Sequence, residues 1–248
     1  MLVLLLLAGL MITGFVYALA APGTAGAATD NGDTIAAGNK LFLSNCATCH
    51  GLHAQGSSVA PTLIGVGAAA VDFQVSTGRM PLETPGVQAQ RGHPQFDPEQ
   101  ISQLAAYIAS LAPGPAIPDG QYTNPQGGNI ATGNQLFLVN CAMCHNFAGS
   151  GGALTRGKYA PSINADSGKD IYEAMLTGPQ SMPVFNDNNI TPQDKQDIIA
   201  YLHNVHTEAS PGGLTLGNLG TIPEGLFCWA VGLMALIGCA VWLGSKSA

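Results

Sequence analysis

The sequence predicts a mainly α-helical protein: two tandem copies of one small helical domain, flanked by N- and C-terminal transmembrane helices. Three observations predict it. The block Ala37-Gly38-Asn39-Lys40-Leu41-Phe42-Leu43-Ser44-Asn45 returns 95 residues later as Thr132-Gly133-Asn134-Gln135-Leu136-Phe137-Leu138-Val139-Asn140, and self-similarity inside one chain marks a duplicated unit. Each copy closes on a stretch with helix-start signals and an apolar stripe. Long apolar runs lie near both ends of the chain, of the length that a bilayer-spanning helix needs.

Taken in order, residues 1–21 form the first anchor, an apolar run broken only by Gly and Thr13. A signal peptide is the competing reading, with Ala25-Gly26-Ala27 as a small-residue cleavage site. A signal core is typically about 7–15 residues, shorter than this run, which favours a retained anchor. No basic residue stands ahead of Leu2, so the usual orientation cue is missing and a natural start further upstream stays open. A Pro/Gly/Ala-rich tether leads to the first domain, residues 32–112. Residues 113–129, with Pro-Gly-Pro and Asn-Pro-Gln-Gly-Gly, read as a linker. It is too short for a long flexible spacer, so the domains are expected to be close neighbours. The second domain takes residues 130–208. Its copy-to-copy agreement continues in Ala60-Pro61-Thr62-Leu63 with Ala160-Pro161-Ser162-Ile163, and in Arg79-Met80-Pro81 with Ser181-Met182-Pro183.

The closing helix of each copy is announced by its capping residues. Asp97, Pro98 and Gln100 make a capping-box set in the first, and Thr191, Pro192 and Asp194 take the same places in the second. Leu104, Tyr107 and Leu111, and likewise Ile198, Tyr201 and Val205, give one apolar face. After another Gly-rich tether, residues 222–244 read as the second transmembrane helix. Trp229 and Trp242 stand near its ends and Lys246 follows, the pattern of a span with a cytoplasmic C-terminus. Cys228 and Cys239 inside it read as small apolar residues facing lipid or a helix, with ligation or lipidation as the alternative.

The 248 residues include only 9% charged side chains, with 32 Gly and 16 Pro, and mean hydropathy is +0.22. That composition fits loop-rich domains plus membrane segments. The net charge is −7 without a basic stripe, which argues against nucleic acid as a partner.

Chemistry concentrates at Cys46-Ala47-Thr48-Cys49-His50 and Cys141-Ala142-Met143-Cys144-His145. Each is C-x-x-C-H, the attachment pattern of a c-type haem. Cysteines three apart share one face of a helical turn, so both sulfurs reach two vinyl groups on one porphyrin edge. The histidine that follows then turns a ring nitrogen to the iron. A zinc site would need further ligand pairs at matching spacing, and a redox C-x-x-C does not require the trailing His. Two covalently bound c-type haems are expected, at Cys46, Cys49, Cys141 and Cys144. Such attachment implies the outer face of a bacterial membrane or an equivalent compartment.

With these features in order, residues 34–112 and 129–207 each resemble a class I cytochrome c domain. The resemblance implies that leading and closing helices cross at a glycine, Gly38 and Phe42 meeting Leu104 and Tyr107, and Gly133 and Phe137 meeting Ile198 and Tyr201. It implies iron ligation by His50 and His145, with the Pro61 and Pro161 carbonyls accepting the other imidazole N–H. Met80 and Met182 are the expected opposite ligands, since thioether sulfur favours reduced iron. Met143, Met175, His53 and His93 are weaker candidates. His203 and His206, three apart on a helix, could pair on a metal but read as surface residues. Filled axial positions imply electron transfer, with no catalytic residue in this chain.

The whole arrangement resembles the dihaem cytochrome c subunit of actinobacterial cytochrome bcc complexes (menaquinol:cytochrome c reductases). That resemblance implies a membrane-anchored electron-transfer subunit of a plasma-membrane respiratory enzyme. Its partners would be a cytochrome b subunit, a Rieske iron–sulfur subunit, an aa3-type cytochrome c oxidase in a supercomplex, and membrane lipid. Electrons would pass from menaquinol through the Rieske cluster and the two haems to the oxidase. The dihaem subunit of a cbb3-type oxidase and a dihaem peroxidase-like enzyme are the alternatives. A hydrophobic helix after the second domain argues against the former.

Overall fold

Capping chemistry sets where the helices begin. In the computed structural model, which describes residues 6–7, 9–15, 32–208, 216 and 221–246, Asp97 accepts from the Gln100 backbone N–H while the Gln100 side chain reaches back to the Asp97 N–H. Thr191 and Asp194 make the same reciprocal pair. These boxes satisfy donors that a helix start leaves orphaned. The first half of the described chain consists of α1 (Gly32–Asn45), α2 (Ala47–His50), α3 (Gly67–Ser76) and α4 (Pro98–Leu111). The second begins at α5 (Gly120–Thr123) and a 3₁₀ turn over Pro125–Gly127. It continues through α6 (Ile130–Asn140), α7 (Ala142–His145), α8 (Gly168–Thr177) and α9 (Pro192–Thr207).

In each half the leading helix crosses the closing one where a glycine removes the side chain. A Cβ on Gly38 would overlap the Gln103 carbonyl, and one on Gly133 would overlap the Asp197 carbonyl. Close backbone approach is one of the few uses that offset glycine's cost inside a helix, about 0.5–1 kcal/mol against Ala. One turn on, Phe42 meets Tyr107 and Phe137 meets Tyr201, both with ring centroids 5.4 Å apart. The tilt is 46° in one pair and 47° in the other. Offset aromatic pairs of this kind contribute about 0.5–1.5 kcal/mol beyond the area they bury. Ile101, Leu104 and Ile108 complete the first core, and Ile198, Ile199 and Leu202 the second.

Residues 113–129, expected as a linker, are stitched to both halves. The Pro115 carbonyl accepts from Ala69 N–H at 3.1 Å. The Gln196 side-chain amide donates to the Gln121 and Asn124 carbonyls at 2.6 and 2.9 Å. A two-stranded antiparallel hairpin was not anticipated: β1 (Gly152–Ala153) pairs with β2 (Tyr159–Ala160). The motif histidine and the later proline are 16 residues apart in the second half against 11 in the first, and the hairpin absorbs the difference.

The halves also touch each other. Helix α3 packs on α8. Gln88 accepts from the Tyr159 N–H at 3.0 Å and donates to its carbonyl at 2.8 Å. Gln180 treats Ala89 the same way, accepting at 3.0 Å and donating at 2.8 Å. Ion pairs join Arg91 to Asp166 and Lys169 to Asp72.

The helix α10 (Thr221–Lys246) stands apart in character, with mean hydropathy 2.3 over its apolar window and none of that window buried. Its 26 residues at about 1.5 Å each exceed the roughly 30 Å of a hydrocarbon core. Residues 6–7 and 9–15 are helical, and the rest of the N-terminal anchor expected at 1–21 lies outside the described residues.

Candidate haem-binding sites

Each C-x-x-C-H motif folds as one short helical turn directly after the leading helix. The His50 N–H donates to the Cys46 carbonyl at 3.0 Å, and the His145 N–H to the Cys141 carbonyl at 2.9 Å. The residue after each histidine turns the chain back with positive φ, 80° at Gly51 and 63° at Asn146. Glycine takes that region freely, and asparagine is among the residues that tolerate it best. The returning loop is then pinned, Gly56 N–H to the His50 carbonyl at 2.8 Å and Gly151 N–H to the His145 carbonyl at 2.9 Å.

This turn brings proline under the imidazole. His50 Nδ1 lies 2.8 Å from the Pro61 carbonyl, and His145 Nδ1 lies 3.0 Å from the Pro161 carbonyl. A carbonyl can only accept, so Nδ1 carries a proton in both rings. Burial, opposed by the Pro161 bond, pushes the His145 pKa down, which holds the ring neutral. A neutral imidazole with a fixed tautomer is the form that ligates a metal. Burial first, then the neighbouring cysteine, pushes Cys46 up to about 11 and Cys141 up to about 12. Both are therefore neutral thiols at pH 7.

In the second half the motif opens onto a cavity, with about 1150 Å³ of empty space that is partly open to solvent. Cys141, Cys144 and His145 line one wall, and Met182 lines the cavity with Met175 and Phe185. The lining is predominantly apolar. A flat, hydrophobic macrocycle tethered by two sulfurs and held by one imidazole fits that donor set and that space. In the first half, Met80 and Cys46 pack against one core cluster with Phe42, Ala54 and Leu104. The Met80 N–H donates to the Gln74 carbonyl at 2.9 Å, which seats it at the end of α3.

The weaker candidates separate clearly. Met143 is 92% exposed and Met175 only 2%; Met175 shares the cavity wall with Met182. His53 and His93 are exposed. His203 is exposed on α9, His206 is half-buried, and no metal-holding cluster of His, Cys, Asp or Glu occurs among the described residues. Sequence reasoning missed Lys195. Its side chain is fully buried, with Nζ donating to Asp187 at 2.7 Å and to the Ile190 carbonyl at 2.6 Å. That lysine ties down the loop that follows Met182. Nothing local marks it, because a helix position four residues past a cap reads as surface.

The chain is similar to known cytochrome c proteins. Residues 35–112 match the family described as cytochrome c, and residues 128–202 match cytochrome c oxidase, cbb3-type, subunit III. The cytochrome bc1 complex cytochrome c subunit of Mycobacterium tuberculosis is 44% identical over 98% of this chain and 90% of its own length. That of Corynebacterium efficiens is 44% identical over 88% of this chain and 79% of its own. The cbb3-type cytochrome c oxidase subunit FixP of Sinorhizobium medicae is 32% identical, over 45% of this chain and 38% of its own.

Proposed function

The chain belongs to the cytochrome c subunits of the cytochrome bc1 complex, and on that footing we propose that it is a membrane-anchored dihaem relay built from two tandem class I cytochrome c domains. The observation that carries this reading is the repetition of one site. Each half presents Cys-x-x-Cys-His as a turn, an imidazole Nδ1 bonded to a proline carbonyl, and a methionine on the same core or cavity.

When bound, a c-type haem supplies a one-electron iron couple. The chain's residues do the rest. Cys46 with Cys49, and Cys141 with Cys144, tether the two groups. His50 and His145 offer Nε2 to iron, oriented by the Pro61 and Pro161 carbonyls. Met80 and Met182 would each supply a soft sulfur as a further protein ligand to the iron, which would favour the reduced state and leave no protein-free position for dioxygen. The apolar walls keep water away, which raises the weight of every nearby charge.

The partners follow from family and topology. Electrons enter from the Rieske subunit of a menaquinol-oxidising complex that also holds cytochrome b, and leave for an aa3-type oxidase. Helix α10 crosses the plasma membrane, with Lys246 at the cytoplasmic end, and the haem-bearing halves lie on the outer side. The likeness to cbb3-type oxidase subunits rests on the second half and spans under half of the chain.

Purification in mild detergent through a tag on this chain tests the reading. The expected preparation contains b-type and a-type haems, a Rieske protein and two c-type haems per chain. Met80→His and Met182→His should each remove about half of the Met–iron charge-transfer band. A chain that purifies alone, or an unmutated chain with a single Met-ligated haem, overturns it.

A further inference from the structure

Arg79 precedes Met80 in the first half, yet it lines the cavity of the second half, in a wall shared with Phe73, Gln88, Cys141, His145 and Met182. It is 94% buried, and Nη1 has no hydrogen-bond partner. One face of the guanidinium lies 4.7 Å from the Phe73 ring centroid. The nearby carboxylates are engaged elsewhere: Asp166 and Asp170 pair with Arg91, the latter at 3.5 Å, and Asp72 pairs with Lys169. Arg79 is thus a buried cation that makes no ion pair of its own among the described residues, with only the carboxylate charge of Asp170, already shared with Arg91, acting on it.

Such a state is costly. Stripping a charge of water carries a penalty that a cation–π contact only partly offsets. A guanidinium in a cavity wall with one buried Nη1 left unpartnered still has an N–H to offer an anion. The cavity is apolar, and the group that fits it carries carboxylates on the edge opposite its thioether bonds.

We propose that Arg79, supplied by the first half, anchors a carboxylate of the haem held by the second half. This inference rests on the reading of Cys141, Cys144, His145 and Met182 as a haem site. Its consequence is that one half tunes the centre of the other. A cation fixed in a low-dielectric wall favours the reduced, less positive iron, so the second haem reaches its working potential only when the two halves are packed together.

The test is a redox titration of the complex carrying Arg79→Gln, made in parallel Met80→His and Met182→His backgrounds so that the remaining Met–iron band reports one haem at a time. The haem opposite Met182 should fall in midpoint potential by about a tenfold change in its one-electron equilibrium, 59 mV. The haem opposite Met80 should move less, although Arg79 adjoins Met80 in the chain. A larger shift at the Met80 haem, or none at the Met182 haem, overturns the proposal. If Arg79→Gln yields no haem-loaded chain, Arg79→Lys carries the test. It keeps the charge but loses the fork, so a smaller downward shift at the Met182 haem is expected, and an unmoved potential there overturns the proposal. Absence of any Met182-dependent band in unmutated protein would instead sink the underlying site assignment.

Discussion

Glu173 on α8 is fully buried, and neither of its carboxylate oxygens has a hydrogen-bond partner. Burial first, then the charge of Asp72 across the contact between the halves, pushes its pKa from 4.5 up to about 9, against the pull of Lys169. The side chain is therefore the neutral acid at pH 7, because a buried carboxylate with no hydrogen bond and Lys169 only as near as 4.0 Å costs more than keeping its proton. The folded-state value lies above the unfolded one, so between them the folded chain holds a proton that the unfolded chain has released. Stability from this group is complete below about 4.5 and is lost progressively as pH rises toward about 9. Glu173→Gln removes the titration. Thermal unfolding of the purified complex, followed by loss of the Met–iron band, should show a shallower decline from pH 5 to pH 9 in the variant. An unchanged slope would place the responsible proton elsewhere. Glu173 sits on a sequence pattern that reads as an ordinary amphipathic helix, Gly168–Thr177, because the half that buries it is contributed by residues about a hundred positions away.

Elements were legible where their determinants are local. Asp97 with Gln100, and Thr191 with Asp194, announce α4 and α9 because a capping box is written within four residues. The motif turns were legible because the chain states them twice, and the glycine crossings because the resemblance to class I cytochrome c domains implies them. The hairpin Gly152–Ala153 with Tyr159–Ala160 was not, since strands of two residues carry no periodicity. The crossings make a direct claim about backbone proximity. Alanine in place of Gly133 gains helix propensity of up to about 1 kcal/mol. It also drives a methyl into the Asp197 carbonyl, which belongs to a helix and cannot swing aside. Overpacking of this kind costs about 1–3 kcal/mol, so Gly133→Ala should destabilise the second half, and Gly38→Ala, facing the Gln103 carbonyl, the first. Thermal unfolding with the band of each haem as reporter checks both. A stabilised Gly133→Ala variant would mean that α6 and α9 do not cross as closely as described.

At the scale of the molecule, what the sequence could not reveal is how the halves are joined. A short linker implied closeness, but the partners across the contact come from loops with no shared pattern. Two kinds of bond make it. Arg91 and Lys169 are 44% and 42% exposed although their partners Asp166 and Asp72 are largely buried, and ion pairs with one solvated partner weaken with salt. Gln88 and Gln180 instead clasp backbone groups of the opposite half in two-way hydrogen bonds, alongside the packing of α3 on α8. Those contacts are uncharged and indifferent to ionic strength. Transfer between two centres depends steeply on their separation, so the rate between the haems reports whether the clasp holds. In the unmutated complex, flash-initiated transfer between the haems should keep its rate from low salt to 1 M salt. The double variant Gln88→Ala/Gln180→Ala leaves the ion pairs as the main polar tie, so its transfer should be slower and should slow further as salt screens them. If salt alone slows the unmutated complex, the ion pairs carry the contact and the glutamines do not.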